Sequence, residues 1–319
     1  MADGASPPKP THLDPSELGT KQYWDAIYAT ELTNHASNPR EEGTIWFDDS
    51  DAEAKICDFL DGLAAATTTT GTLPPPLTPS GSTSTSSTQP PPRLDKSTAT
   101  ILDLGCGNGS LLLSLRAAGW RGRLLGVDYS AASVALARRV AASRVDDDDD
   151  DDDDDDGDNH SVVEGSSAPP VEFEVWDILA GPLDAVRARA PEPGPEQAAA
   201  GGEEEERDRD PTAGWDVVLD KGTFDAISLS DERDAAGRRV CEGYRARVRS
   251  LLRPGGGLFL VTSCNWTEAE LGVWFGEAGV RGEEDGRHLE EVGRIKYPSF
   301  SFGGVKGQAI SSVCFARPR

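Results

Sequence analysis

The stretch Leu102-Asp-Leu-Gly-Cys-Gly-Asn-Gly109 decides the fold of this chain of 319 residues. It overlaps a short apolar run at residues 100–104, which predicts a buried strand. Leucines at positions 111, 112, 113 and 115 follow it and predict a buried helix over residues 110–118. A strand, a glycine-rich turn and a helix in this order are typical of an alternating α/β fold.

The glycines of this turn indicate a ligand, and their spacing limits its chemistry. Gly105, Gly107 and Gly109 let the backbone turn sharply and lie close to a bound group. A dinucleotide site needs the spacing GxGxxG, whereas Ser110 makes the spacing here GxGxG. Asp103 would also repel a pyrophosphate but could bind an ammonium group. We therefore expect a ligand with a cationic amino-acid moiety and disfavour a nicotinamide dinucleotide.

The rest of the chain continues the alternation of strands and helices. Further strands are predicted at residues 123–127, 171–176, 215–219 and 258–262, and helices at residues 130–143, 233–252 and 267–278. Two late apolar runs, residues 292–299 and 309–316, are separated by a turn around Gly303 and Gly304 and predict an antiparallel hairpin. The predicted fold is α/β, with a parallel sheet, an antiparallel C-terminal hairpin and helices on both faces.

Three stretches of low complexity interrupt this pattern. They cover about residues 64–96, 146–170 and 191–211, and the second begins with the unbroken run Asp146–Asp156. None carries enough apolar surface to offset the entropy that is lost on ordering. Because these stretches fall in predicted surface connections, we interpret them as insertions in a single domain over residues 18–319. We expect residues 1–17 to form a disordered N-terminus.

Acidic residues lie at the ends of four successive predicted strands. Asp103 lies at the end of the first strand. Asp128 ends the strand after the glycine-rich turn, where this kind of fold places a ribose-binding acid. Asp177 follows the third strand, where it could receive an adenine amino group, and Asp220 ends the fourth. A single acid in such a place is commonly a helix cap. Four of them at the edge where open α/β sheets bind ligands favour a ligand site.

Two N-terminal tryptophans permit two interpretations. Trp24 and Trp46 could stack over the ligand as part of an N-terminal lid, or they could pack in the core. The sequence pattern alone favours neither interpretation.

The charge and the cysteines restrict the partners and the location of the protein. A formal net charge of −25 argues against non-specific nucleic-acid binding and favours a basic partner. The 5 cysteines form no CxxC pair and are not grouped with the 4 histidines, which indicates free thiols and no metal site. No apolar stretch suits a signal peptide or a membrane span. We therefore expect a monomer in the cytoplasm, with the nucleus as an alternative, and no nucleic-acid or membrane partner.

Motifs spread along the chain resemble a known family. Leu102 to Gly109 and Gly126-Val-Asp-Tyr129 resemble class I S-adenosylmethionine-dependent methyltransferases. Further stretches narrow the resemblance to the eukaryotic elongation factor 1-alpha lysine methyltransferase family. They are Leu18-Gly-Thr-Lys-Gln-Tyr-Trp-Asp-Ala-Ile-Tyr28, Gly43-Thr-Ile-Trp-Phe47, Asp220-Lys-Gly-Thr-Phe-Asp-Ala-Ile-Ser-Leu229, Thr262-Ser-Cys-Asn-Trp-Thr267 and Pro298-Ser-Phe-Ser-Phe-Gly-Gly304. Together they span nearly the whole chain apart from the N-terminus and the insertions.

The resemblance implies a Rossmann-like seven-strand methyltransferase sheet, S-adenosylmethionine as the cofactor, and a lysine of translation elongation factor 1-alpha as the acceptor. The residues expected to bind the cofactor are Trp24, Trp46, Asp103, Gly105, Gly107, Asn108, Asp128, Tyr129, Asp177 and Asp220. Two other functions would keep the same fold, namely a small-molecule methyltransferase and a binding protein without catalysis. Only the matches outside the cofactor motifs speak against the first, and the intact acids speak against the second.

Methyl transfer to an amine is an in-line displacement, so the protein mainly supplies placement. The acceptor lysine, with an ordinary pKa of about 10.4, must also be neutral, and an apolar channel would lower that pKa. Asp220 is the expected catalytic residue, which would orient the amine through a hydrogen bond. Asn265 could wall the channel, and Trp266 could wall it or pack the following helix. Lys221 could carry charge toward the substrate or be a surface lysine, and we favour the second interpretation. No general base is evident.

Overall fold

The computed structural model describes residues 12–65, 94–150, 168–188, 214–276, 288–302 and 305–318. The strands in these ranges are β1 (Ile101–Leu104), β2 (Leu124–Asp128), β3 (Glu172–Val175), β4 (Val217–Lys221), β5 (Leu258–Ser263), β6 (Glu290–Ile295), β7 (Ser299–Phe302), β8 (Val305–Gln308) and β9 (Ser311–Ala316). The helices are α1 (Lys21–Ser37), α2 (Ala52–Ala65), α3 (Ser110–Ala117), α4 (Ala131–Asp150), α5 (Thr223–Ser228), α6 (Tyr244–Leu251) and α7 (Glu268–Phe275).

Within the described residues, seven strands form one sheet in the order β3-β2-β1-β4-β5-β9-β6. β1 to β5 pair in parallel, and β9 pairs antiparallel to both β5 and β6. This confirms the predicted α/β fold with antiparallel C-terminal strands. The C-terminal connection is more elaborate than a simple hairpin, because β7 and β8 pair with each other between β6 and β9. Gly303 and Gly304, the predicted turn, lie outside the described residues.

The alternation of side chains along the strands divides the core into two layers. On one face, Leu102 and Phe259 pack with side chains of α5, α6 and α7. On the other face, Ile101 and Leu219 pack with side chains of α2, α3 and α4. α1 lies outside α4, with Tyr28 buried against it. Because both faces are covered, the central strands are buried throughout, which explains their continuous apolar sequences.

The predicted helix at residues 233–252 is wrong in its first half. The structure has α6 over Tyr244–Leu251, preceded by a 3-10 turn over Val240–Gly243. Before that turn, the Asp234 carboxylate accepts hydrogen bonds from two following backbone N–H groups, each at 2.9 Å. An aspartate competes in this way with helical hydrogen bonds. Gly237, at φ 78°, completes a turn that a helix cannot contain.

The other helices differ from prediction mainly at their ends. α7 begins as predicted, because Glu270 N donates to Thr267 Oγ1 at 3.3 Å and Thr267 N donates to the Glu270 carboxylate at 2.9 Å. The backbone of α4 stays helical to Asp150, inside the aspartate run where we predicted an insertion from residue 146. We predicted no helices for the ranges that form α1, α2 and α5.

The chain joins the domain earlier than predicted. Residues 12–17 fall in the range predicted to be disordered. Ser16 N nevertheless donates to Leu229 O at 3.1 Å, and Leu13 packs against the core. The predicted boundary at residue 18 is therefore too late.

The edges of the first predicted insertion also belong to the fold. α2 continues to residue 65, and after the gap Leu94 is buried. Lys96 then pairs with Asp61 of α2 at 2.7 Å. The centres of all the predicted insertions, including residues 191–211, lie outside the described residues.

Candidate active site

A cavity of about 300 Å³ lies at the carboxyl ends of β1, β2 and β4. Its floor is the glycine-rich turn after β1, and α1 and the segment before α2 contribute aromatic side chains to its wall. This is the edge at which open α/β sheets bind ligands. Most of the residues predicted to bind the cofactor line it. They are Trp24, Trp46, Asp103, Gly105, Gly107, Asn108, Asp128, Tyr129 and Asp177.

The glycine-rich turn needs glycine at positions where side chains from other segments approach closely. Gly105 has φ 67°, and a Cβ added there would lie 2.0 Å from Thr223 Oγ1. Gly107 has φ 56°, and its Cβ would lie 3.0 Å from the Tyr28 hydroxyl oxygen. Both positions combine a left-handed backbone with crowding, so a side chain there would push apart the walls of the cavity.

Asp103 is a buried carboxylate that faces the cavity without a hydrogen-bond donor among the described residues. It is only 3% exposed. Burial raises its pKa to about 8, and the positive charge of Lys221 opposes that rise. A buried carboxylate without a donor is costly unless a cation pairs with it. The site therefore fits an ammonium group at this position.

Asp128 is held in place by backbone donors on either side of the cavity floor. Ser130 N donates to its Oδ1 at 2.9 Å, and Gly107 N donates to its Oδ2 at 3.3 Å. Burial raises its pKa, and these hydrogen bonds oppose the rise. Each carboxylate oxygen can accept a second hydrogen bond, so Asp128 is placed and oriented to accept from a ribose.

The remaining predicted polar residues differ in how much hydrogen-bonding capacity they keep. Asp177 uses Oδ1 to accept from Leu179 N at 2.7 Å, which leaves its other oxygen for a ligand. Asn108 is more committed, because its amide donates to Glu42 O at 3.0 Å and accepts from Ser110 N at 3.2 Å. Its place in the cavity wall is therefore mainly that of a bridge to the N-terminal segment.

Trp24 and Trp46 lie in the cavity wall, where the sequence left their role open. Their ring centroids are 5.3 Å apart in an edge-to-face arrangement. Trp24 Nε1 donates to Leu18 O at 2.7 Å, which fixes the ring relative to the chain that precedes α1. Both rings thus line the cavity, and Trp24 also packs against the small core cluster of Tyr28, Leu136 and Val140.

Asp220, predicted to be catalytic and to bind the cofactor, is not among the residues that line the cavity, so the structure does not bring it together with the other predicted site residues. Asp103 and Leu219 are opposite one another in the β1–β4 register, and Asp220 is paired with Leu104. Successive strand residues point to opposite faces, so the Asp220 side chain lies on the other side of the sheet. It is 1% exposed and accepts from Thr223 N at 2.9 Å and from the Tyr244 hydroxyl at 2.5 Å.

Asp220 instead fixes the start of α5. Its carboxylate also accepts from Phe224 N at 3.1 Å, so it satisfies two N–H groups of the first turn, as a helix cap does. Burial raises its pKa to about 7. In this arrangement the protein itself satisfies the carboxylate of Asp220, and the side chain faces away from the cavity.

Of the other residues considered for the channel, two line the cavity and one packs in the core. Asn265 lines the cavity. Trp266 is buried, and its ring packs against Trp274 of α7 with centroids 5.5 Å apart. Lys221, interpreted from the sequence as a surface residue, has a side chain only 12% exposed and lines the cavity.

Sequence reasoning missed several residues of the cavity wall, chiefly Tyr28, Phe47 and Thr223. Tyr28 lies one helical turn after Trp24, and the two rings stack with centroids 6.2 Å apart. This i, i+4 aromatic pair was a signal in the sequence, but nothing in the local pattern shows which surface α1 covers.

Comparison with known proteins identifies the family. A family model described as a methyltransferase domain matches residues 95–145. The chain is 34% identical over 307 residues to the protein-lysine N-methyltransferase EFM4 of Saccharomyces cerevisiae, covering 96% of each protein. It is 31% identical to the Schizosaccharomyces pombe protein of that name, covering 95% of each. It is 25% identical to EEF1A lysine methyltransferase 2 of Homo sapiens, covering 95% of this chain and 88% of that one.

The chain belongs to the EFM4 family of protein-lysine N-methyltransferases. It is therefore an enzyme, and its cofactor is S-adenosylmethionine. The cavity fits this cofactor, because it offers an unpaired carboxylate for the ammonium group and a second, oriented carboxylate for a ribose. Aromatic side chains close its outer wall. No described helix is long and apolar enough to cross a membrane, and the described residues hold no cluster suited to a metal ion.

Proposed function

We propose that this EFM4-family enzyme transfers the methyl group of S-adenosylmethionine to a lysine of translation elongation factor 1-alpha. The observation that carries the proposal is the end-to-end similarity to relatives named EEF1A lysine methyltransferase, which includes the N-terminal segment that walls the cavity. A likeness limited to the cofactor motifs would support only a methyltransferase of some kind. Similarity over 95% of the chain supports the same acceptor as well.

The cofactor supplies an electrophilic methyl group on a sulfonium, and the protein supplies placement. Asp103 is positioned to fix the amino-acid end of the cofactor, and Asp128 to fix its ribose. Fixing both ends orients the group between them. Alignment of donor and acceptor at about 3–3.5 Å lowers such barriers by roughly 7–11 kcal/mol, so positioning of this kind is sufficient for a large rate enhancement.

The acceptor lysine must lose its proton before it can attack. Trp46 and Phe47 give the cavity wall an apolar, aromatic character, and their rings lie 6.4 Å apart. Such surroundings lower the pKa of a lysine below its usual value of about 10.4 through desolvation. The positive charge of the cofactor acts in the same direction. Asp220 takes no part, because it lies on the far face of the sheet.

We also propose that the enzyme works as a monomer in the cytoplasm, without nucleic-acid partners. The described cysteines are all free thiols, which suits a reducing compartment. The acidic composition suits a basic protein partner rather than a phosphate backbone.

Incubation with purified elongation factor 1-alpha and isotope-labelled S-adenosylmethionine, followed by peptide mass mapping, tests the acceptor. We expect label on lysine of the elongation factor, and less label with Asp103→Asn enzyme at a limiting concentration of the cofactor. A parallel incubation with a protein-free metabolite extract is the matched control. Label in that extract and none on the elongation factor would contradict the proposal.

A further inference from the structure

Lys221 is a largely enclosed cation in the wall of the cofactor cavity, and the catalytic proposal leaves it without a role. It ends β4, and its side chain lines the cavity. Register explains its direction. Asp103 is opposite Leu219, and Lys221 lies two residues further along the same strand. Residues two apart on a strand share a face, so Lys221 and Asp103 lie on the same face of the sheet at adjoining strand ends.

The ammonium group of Lys221 is held in place by the protein but keeps capacity for a ligand. Its Nζ donates to Trp46 O at 3.2 Å and lies 3.3 Å from Glu53 Oε1. Glu53 is itself anchored, because Ser110 Oγ donates to it at 2.6 Å. A lysine ammonium has three N–H donors, and the described residues provide acceptors for two of them. The third remains for a bound group.

The amino-acid end of S-adenosylmethionine carries two opposite charges, an ammonium and a carboxylate. Asp103 is suited to the ammonium, but a buried carboxylate of the ligand also needs a charged or hydrogen-bonding partner. Lys221 is close enough to Asp103 to oppose the rise of its pKa. The pair therefore presents one negative and one positive group at the same end of the cavity, in the arrangement that a zwitterion requires.

We infer that Lys221 binds the carboxylate of the cofactor's amino-acid end, while Asp103 binds its ammonium. The inference rests on the donor part of the proposed function and is independent of the acceptor protein. Because Lys221 also donates to the carbonyl of Trp46, the same residue links the bound cofactor to the N-terminal segment that walls the cavity.

A comparison of two ligands on matched variants tests this role. Isothermal titration would measure the affinity of S-adenosylmethionine and of its decarboxylated analogue, which lacks only the carboxylate. A charge-assisted hydrogen bond corresponds to about 10–100-fold in affinity. We expect Lys221→Met to weaken the binding of S-adenosylmethionine by about that factor, and the binding of the analogue by less than about threefold. Each ligand gives a ratio of the variant's dissociation constant to that of the wild-type enzyme. Dividing one of these ratios by the other removes the effect of the different net charges of the two ligands.

The matched control is Lys55→Met, on α2 near Glu53. The Lys55 ammonium lies 3.2 Å from the Asp51 carboxylate, and Lys55 does not line the cavity. It should leave both affinities unchanged. Should Lys221→Met fail to fold, Lys221→Gln keeps a neutral donor to Trp46 O and carries the same expectation. Equal weakening of both ligands, or no weakening of S-adenosylmethionine, would overturn the assignment. Because no acceptor is present, this outcome is separate from that of the elongation factor experiment.

Discussion

Asp103 and Asp220 lie on neighbouring strands of one sheet, yet their surroundings are opposite. Both are almost fully buried, and burial raises the pKa of each, to about 8 and about 7 respectively. Asp103 has no hydrogen-bond donor among the described residues and faces the cavity. Asp220 accepts hydrogen bonds from Thr223 N, Phe224 N and the Tyr244 hydroxyl.

The difference teaches that burial and a raised pKa do not by themselves identify a ligand-binding acid. An acid whose hydrogen bonds are satisfied by the protein stabilises the fold, whereas one without donors needs a partner from outside. Here a one-residue difference in strand position assigns the two carboxylates to opposite faces of the sheet. Experiments that separate folding from cofactor binding therefore test the comparison.

The largest effect is expected from Asp220→Ala. This change leaves two backbone N–H groups and a tyrosine hydroxyl without an acceptor in a buried site, so the free energy of unfolding should fall by about 2–4 kcal/mol. Asp103→Ala removes no internal hydrogen bond and should change it by less than about 1 kcal/mol. Urea denaturation of both variants measures the difference. Equal destabilisation would show that the two acids are not distinct.

The next effect concerns cofactor affinity, which a change of Asp103 should lower more than a change of Asp220. Asp103→Asn keeps the size of the side chain but removes its charge, so S-adenosylmethionine should bind about 10–100-fold more weakly. Asp220→Asn keeps an acceptor for α5 and lies on the other face, so its affinity should change by less than about threefold. Isothermal titration at fixed pH provides the measurement. A stronger loss with Asp220→Asn would return that residue to the site.

The smallest effect is a pH dependence of cofactor binding. In the free enzyme Asp103 has a pKa of about 8, so at pH 6 it is protonated and must lose its proton to pair with an ammonium. The affinity should therefore rise by about tenfold between pH 6 and 7. Above about pH 8 the amino group of the cofactor loses its own proton, and the affinity should fall again.

Titrations at pH 7 in two buffers with different ionisation enthalpies would detect the proton that Asp103 releases. Asp103→Asn should release less and should bind with a flatter pH profile. An affinity that falls between pH 6 and 7.5 in the wild-type enzyme would contradict the raised pKa of Asp103.

Much of the fold follows from local sequence. The apolar runs of β1, β2 and β5 and the glycine-rich turn allowed the parallel sheet and its binding edge to be predicted, because strands that are buried on both faces have continuous apolar sequences. The capping box of Thr267 and Glu270 likewise marked the start of α7. These signals are local, so the rest of the chain cannot disguise them.

The sequence-based expectations differ from the structure where the position of a side chain depends on residues far away in the chain. The position of Asp220 suggested the ligand site, but its face depends on the register between β1 and β4. Lys221 resembled a surface residue because its partners, Trp46 and Glu53, come from far earlier in the chain. Tyr28 entered the site only through the packing of α1 on α4. Tertiary contacts of this kind leave no signal at the residue itself.

A crystal structure of the enzyme with S-adenosylhomocysteine tests the central claim most directly, namely that one face of the sheet edge binds the cofactor. We expect the ligand's ammonium within about 3.2 Å of the Asp103 carboxylate and its ribose hydroxyls on Asp128. Asp220 should remain bonded to the first turn of α5. A nucleoside bound elsewhere, or one that leaves Asp103 without a partner, would contradict that claim.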